Sequence, residues 1–236
     1  MRKLKLVLLP GLDGTGVLFQ PFLRALPEYI EPIVVTYPVD KPLGYNALLP
    51  FALAALPVDE PFILLGESFG GPLALRVATL QPAGLRAVVL CASFVTGPYW
   101  FVPRLAAHII PSAPFRLMPL MSRVRSRVGG YDNSEVAQLS QQALRMVSPA
   151  VWARRVSELF AVDARKPLKD CHVPLLYLRG EKDFVVPARN LRRIQKLRPD
   201  IEVAYAPSPH LLLQSCPAEA AAAINAFIAR RRLAAE

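Results

Sequence analysis

Hydrophobic positions along this chain fall into short runs separated by Gly, Pro and polar residues, and the periods alternate between those of strands and helices. Residues 3–9 alternate and then run apolar, which predicts a strand. The three glycines of Pro10-Gly11-Leu12-Asp13-Gly14-Thr15-Gly16 end it in a loop. Residues 19–26 then predict a short helix, 33–36 a buried strand and 46–56 an apolar helix. Phe62-Ile63-Leu64-Leu65 is a further strand, followed by a helix over 71–78 that carries Pro72 in its first turn. Residues 85–90 read as an interior parallel strand. Strand and helix thus alternate three times, the pattern of an α/β, doubly wound, mostly parallel sheet.

The alternation stops near Phe94. Between there and Lys166, prolines punctuate short helical patterns and no strand is predicted. This segment, residues 94–166, is expected to form a helical cap over the carboxyl edge of the sheet. It would be an insertion within a core made of residues 1–93 and 167–236. The α/β pattern resumes with a strand over 173–178, a helix over 187–197, a strand over 201–205 and an Ala-rich helix over 217–232.

A chain of 236 residues can bury one large core, and 53% apolar content argues against disorder. Apolar stretches are cut by Pro, Gly or Arg well before the length of a membrane span. The basic start Met1-Arg2-Lys3-Leu4-Lys5 precedes an apolar run that ends at Pro10, too short for a signal peptide. A cytoplasmic protein is therefore expected, with Cys91, Cys171 and Cys216 as reduced thiols. The net charge of +10 favours acidic partners such as an acyl carrier protein. Nucleic acid is not expected, because the basic clusters lack interleaved aromatics and read as solvated helix faces. Contact of the 104–127 stretch with a membrane surface is a weaker alternative.

The chemistry centres on Gly66-Glu67-Ser68-Phe69-Gly70, set between a strand and a helix. In that context G-x-S-x-G forms a nucleophile elbow, which lifts the Ser68 hydroxyl clear of the sheet. It also turns the Phe69 N–H, at the helix N-terminus, toward negative charge developing beside Ser68. A serine hydroxyl needs a base, and the base an orienting carboxylate. Of the three histidines, His108 falls in the cap and His172 just before a strand, whereas His210 follows the last strand at the same edge as Ser68. Asp183 follows the preceding strand, giving the order Ser68, Asp183, His210. Asp13, Asp163 and Asp170 are weaker acid candidates, and Glu67 is expected to point away from Ser68. Tyr99, Trp100, Phe101, Leu117, Met118 and Met121 make the cap rich in large apolar side chains. Most such residues would join cap to core, and a minority would line an acyl pocket.

With these pieces in view the chain resembles the α/β-hydrolase family over nearly its whole length. The resemblance rests on the Ser68 pentapeptide, on Gly180-Glu181-Lys182-Asp183-Phe184-Val185-Val186-Pro187 and on Ser208-Pro209-His210. It implies a second oxyanion-hole amide in the loop after the first strand, here the Leu12 N–H, with Pro-Gly where the family has His-Gly. The opening antiparallel strands of the family are absent from the pattern, which implies a compact version. The loop is also similar to those of small bacterial esterases and phytyl-ester-synthase-like acyltransferases. The expected activity is cleavage of short to medium acyl esters or thioesters through an acyl-serine, without cofactor or metal. Acyl transfer through the same intermediate and a non-catalytic binding module are the alternatives.

Overall fold

The computed structural model describes residues 3–98, 110–117, 120 and 134–233. Six strands, β1 (Leu4–Leu9), β2 (Ile30–Val34), β3 (Phe62–Glu67), β4 (Leu85–Cys91), β5 (Leu175–Gly180) and β6 (Glu202–Ala206), form one sheet. Its order is β2-β1-β3-β4-β5-β6, and every neighbouring pair is parallel. The helices are α1 (Gln20–Ala25), α2 (Tyr45–Ala54), α3 (Gly70–Thr79), α4 (Glu135–Met146), α5 (Pro149–Ala161), α6 (Arg165–Lys169), α7 (Ala188–Leu197), α8 (Leu212–Ser215) and α9 (Pro217–Arg231).

The sheet is buried on both faces, which is why its strands read as apolar runs. Along β3, Phe62 and Leu64 join one core with Leu48 of α2, Leu73 and Val77 of α3 and Ile194 of α7. Ile63 and Leu65, one residue out of phase, join the other core with Phe22 of α1, Leu213 of α8 and Ile224 and Phe227 of α9. A parallel sheet sends all of its strand carboxyl ends to one edge. The order reverses between β1 and β3, so the loops after those two strands flank a crevice at that edge.

One departure from the sequence reading has a plain cause. The second strand spans Ile30–Val34 instead of 33–36, with Pro32 inside it opposite Leu6. Pro is tolerated because β2 is an edge strand, where the missing donor faces no neighbour. The described part of residues 94–166 contains helices α4 and α5, each begun by a serine cap, and the first two residues of α6. Ser134 Oγ accepts from the Ala137 N–H at 3.2 Å, and Ser148 Oγ from the Val151 N–H at 3.3 Å. Thr96 and Asp163, at the two ends of this segment, form an isolated antiparallel bridge.

Close approach of α3 to β1 depends on Gly70. A Cβ there would lie 2.4 Å from the Leu9 carbonyl oxygen and 2.8 Å from that of Pro10. Both obstacles are main chain, so they cannot move aside cheaply. Gly70→Ala should cost about 3 kcal/mol and lower Tm by roughly 10 °C. Thermal unfolding of the two proteins checks this; an unchanged Tm would show that the approach is not tight.

Candidate active site

Three loops at the carboxyl edge meet at Ser68. The serine sits between β3 and α3 with φ of +48°, a left-handed conformation that costs a non-Gly residue about 1–2 kcal/mol. Neighbouring main chain holds it there. The Ser68 N–H donates to the Cys91 carbonyl at 2.8 Å, while the Ser68 carbonyl accepts from Ser93 Oγ at 2.7 Å and from the Gly71 N–H at 3.1 Å. Next to it, the Phe69 ring stacks on Tyr45 at 4.3 Å between centroids, and Tyr45 Oη donates to the Phe69 carbonyl at 3.0 Å.

His210 follows β6 and bridges the other two predicted residues. Its Nε2 lies 3.0 Å from Ser68 Oγ, and its Nδ1 lies 3.0 Å from Asp183 Oδ2. An ionised carboxylate only accepts, so Nδ1 carries the proton and Nε2 is left to accept from the serine hydroxyl. Asp183 is buried, and its Oδ1 accepts from the Val185 and Val186 N–H groups, both at 2.9 Å. The buried Arg179 of β5 braces the same turn, donating to the carbonyls of Val186 at 2.5 Å and Asp183 at 3.1 Å.

The loop after β1 lies alongside Ser68: a Cβ on Gly11 would be 3.9 Å from the Ser68 Cβ. Its turn is closed by the Gly14 N–H donating to the Gly11 carbonyl at 3.1 Å and by the Asp13 carboxylate, which accepts from the Thr15 N–H at 2.9 Å. Arg155 of α5, fully buried, donates from Nη1 to the carbonyls of Leu12 at 2.8 Å and Asp13 at 2.6 Å. Burial lowers the pKa of its guanidinium, and the Asp13 charge opposes that shift.

Ser68 and His210 open into a cavity of about 270 Å³. Its walls are mainly apolar: Leu18, Phe94, Ala143, Leu144, Trp152, Leu159, Val185 and Val186. Sequence reasoning had singled out none of these as substrate contacts. Of its own candidates, Tyr99, Trp100, Phe101, Met118 and Met121 lie outside the described residues. Leu117 is 56% exposed, at the end of a short turn whose Phe115 takes the inward place against Val151 and Trp152; it does not line the cavity. Leu12 does line it, whereas Phe69 is buried behind Ser68. The rejected acids are engaged elsewhere, Asp163 with Arg165 and Asp170 with Lys166, and His172 is exposed. Among the described residues no cluster of three or more His, Cys, Asp or Glu is placed to hold a metal ion.

A model of the alpha/beta hydrolase family matches residues 6–224. The chain belongs to that family. Among alpha/beta hydrolases of known function it is similar to N-formylmaleamate deformylase of Pseudomonas putida, at 23% identity over 85% of this chain and 79% of that protein. It is also 25% identical to the biotin biosynthesis bifunctional protein BioHC of Cellvibrio japonicus, over 94% of this chain. Here the chain spans about half, 47%, of the relative's length. Solved structures with the same fold include an esterase from Exiguobacterium antarcticum, with a TM-score of 0.78 at 16% identity over 97% of this chain and 92% of that one. A bromoperoxidase from Bacillus anthracis also gives 0.78, at 17% identity over 96% and 92%. No helix among the described residues is long and apolar enough to cross a membrane.

One buried acid in the site titrates in the neutral range. Desolvation pushes Glu67 from its ordinary 4.5 up to about 7, opposed by the hydrogen bond from Gln214 Nε2 at 3.0 Å. Asp13 raises it further, and His210 lowers it. Gln214 Oε1 is buried and has no hydrogen-bond partner among the described residues. The folded state therefore binds more protons than the unfolded chain between pH 4.5 and about 7, and this group's stabilisation is lost as pH rises through that window. The loss totals about 3 kcal/mol. Glu67→Gln should abolish this component, so that urea stability falls less between pH 4.5 and 8 than in the wild type. Identical slopes in the two proteins would refute the assignment.

Proposed function

We propose that the protein is a serine hydrolase that transfers the acyl group of an ester or thioester to water through an acyl-serine at Ser68. The carrying observation is the hydrogen-bonded chain Ser68–His210–Asp183 opening into an apolar cavity. Ser68 Oγ attacks the carbonyl carbon as His210 Nε2 takes its proton. The N–H groups of Leu12 and Phe69 receive the oxyanion. His210 then returns the proton to the departing alcohol or thiol, and Asp183 holds the imidazole in its Nδ1–H tautomer while stabilising the transient imidazolium. A water activated by the same imidazole releases the acid and regenerates Ser68.

The acyl group is apolar and short to medium in length. The cavity of about 270 Å³ is just below the ~300–1,000 Å³ of sites for drug-sized ligands. Its described lining includes Asp13 and Glu67 but no Lys or Arg, an environment that disfavours an anionic acyl chain. An acidic acyl carrier remains the proposed donor of thioester substrates, given the net charge of +10.

Each methylene buried should raise kcat/KM about fourfold, from roughly 0.8 kcal/mol of transfer free energy, until the cavity is full. A p-nitrophenyl ester series from acetate upward measures this, and Leu144→Trp should move the optimum to a shorter chain. Monotonic decline from acetate would remove the apolar-pocket reading. Ser68→Ala should lower turnover by about 10⁴-fold or more. Undiminished turnover in that variant would overturn the proposed chemistry altogether.

A further inference from the structure

The loop that supplies the Leu12 N–H is intrinsically permissive. Gly14 and Gly16 adopt φ of +67° and +73°, and Gly11 precedes them. Its own hydrogen bonds close the turn locally, and the Tyr37 N–H, donating to the Gly14 carbonyl at 2.8 Å, ties it to the segment after β2, but these bonds do not tie it to the wall of the cavity. That tie comes from Arg155, which stands 142 and 143 positions away in sequence from the carbonyls of Asp13 and Leu12 that it holds. A third bond, from Nη2 to the Pro38 carbonyl at 2.9 Å, joins the segment after β2 to the same guanidinium, which also lies over the Tyr37 ring at 5.5 Å. The fork geometry is what allows one side chain to serve three carbonyls, and a lysine ammonium lacks it. Gly14 is fitted to the arrangement: a Cβ there would be 2.5 Å from Arg155 Nη1.

Arg155 stands on the helix that also closes the cavity. Trp152, one turn before it, and Leu159, one turn after it, both line the space in front of Ser68. A single helix therefore carries both the pocket wall and the clamp on the loop. Resting on the hydrolase reading above, we infer that Arg155 is a positioning residue for the oxyanion hole. It fixes the main chain around Leu12 in the geometry that receives the oxyanion, and makes that geometry depend on the seating of α5. The guanidinium acts through the loop and touches no reacting atom.

The test compares wild type, Arg155→Met and Arg155→Lys on p-nitrophenyl butyrate, with kcat expressed per active site titrated by a fluorophosphonate. Loss of an oxyanion donor, or its displacement by about 1 Å, typically costs 10²- to 10³-fold. Arg155→Met should lower kcat per titrated site by about 10²-fold with KM within about threefold, the signature of an interaction realised in the transition state. Affinity for an alkylboronic acid, which forms a tetrahedral adduct on Ser68, should fall in parallel, and Arg155→Lys should recover part of both. A purely structural role would instead reduce the number of titratable sites and leave kcat per site unchanged, and that result overturns the inference. If Arg155→Met does not fold, Arg155→Lys decides, and wild-type kcat per site and boronate affinity in it count against a role for the fork. Wild type without Ser68-dependent turnover would overturn the hydrolase reading. Intact Ser68-dependent turnover that is indifferent to Arg155 would overturn this inference alone.

Discussion

The left-handed backbone at Ser68 is the constraint on which the rest of the site depends. An L-residue occupies that region only when its surroundings leave no cheaper choice. Here the surroundings are the carbonyl of Cys91, the hydroxyl of Ser93 and the first turn of α3, all bonded to the Ser68 peptide groups. Glycines at the contact points let these elements come close enough. At Gly66 a Cβ would meet the Gly70 carbonyl oxygen at 2.6 Å, and at Gly71 it would collide with Ser93 Oγ. The local cost is thus offset by long-range packing of the parallel sheet, and the hydroxyl is delivered to an edge where two other loops can reach it.

Those loops are secured by buried charge. Arg179 braces the turn that bears Asp183, and Arg155 holds the loop that bears Leu12. Burying a guanidinium is unfavourable unless its donors are met by acceptors. Main-chain carbonyls of loops that turn inward are groups that would otherwise lack donors, so each arginine serves its loop, although the buried Nε of Arg155 finds no acceptor among the described residues. Glu67 is different in kind, a buried acid that desolvation pushes toward its neutral form against the hydrogen bond it accepts from Gln214.

Sequence alone went far on the core because a parallel sheet converts chain order into spatial placement. Ser68, Asp183 and His210 each follow a strand, and every such loop emerges at one edge, so three residues spread over more than half the chain could be assembled on paper. The first turns of α3 and α9 were similarly legible from Pro72 and Pro217. The cavity was not. Its wall is set by how α4 and α5 lie across the edge, and no period in the sequence encodes that angle. Aromatic-rich stretches drew attention, while the wall uses Trp152 and Leu159, two ordinary positions of an amphipathic helix. Arg155 shows the limit clearly. Its neighbour Arg154 is a half-exposed partner of Glu158 at 2.5 Å, and nothing in the pair of adjacent arginines tells which one is buried.

Because α5 contributes both wall and clamp, selectivity and intrinsic rate are not independent variables under the proposed serine-hydrolase chemistry. A helix that tilts to admit a bulkier ligand carries the guanidinium with it and loosens the loop beside Ser68. Divergence toward new substrates is then easiest through residues of α4, such as Ala143 and Leu144, which line the cavity from an element that holds none of the catalytic main chain. Transplanting a wall from another hydrolase would succeed only if the arginine and its glycine-rich receptor travelled as one unit.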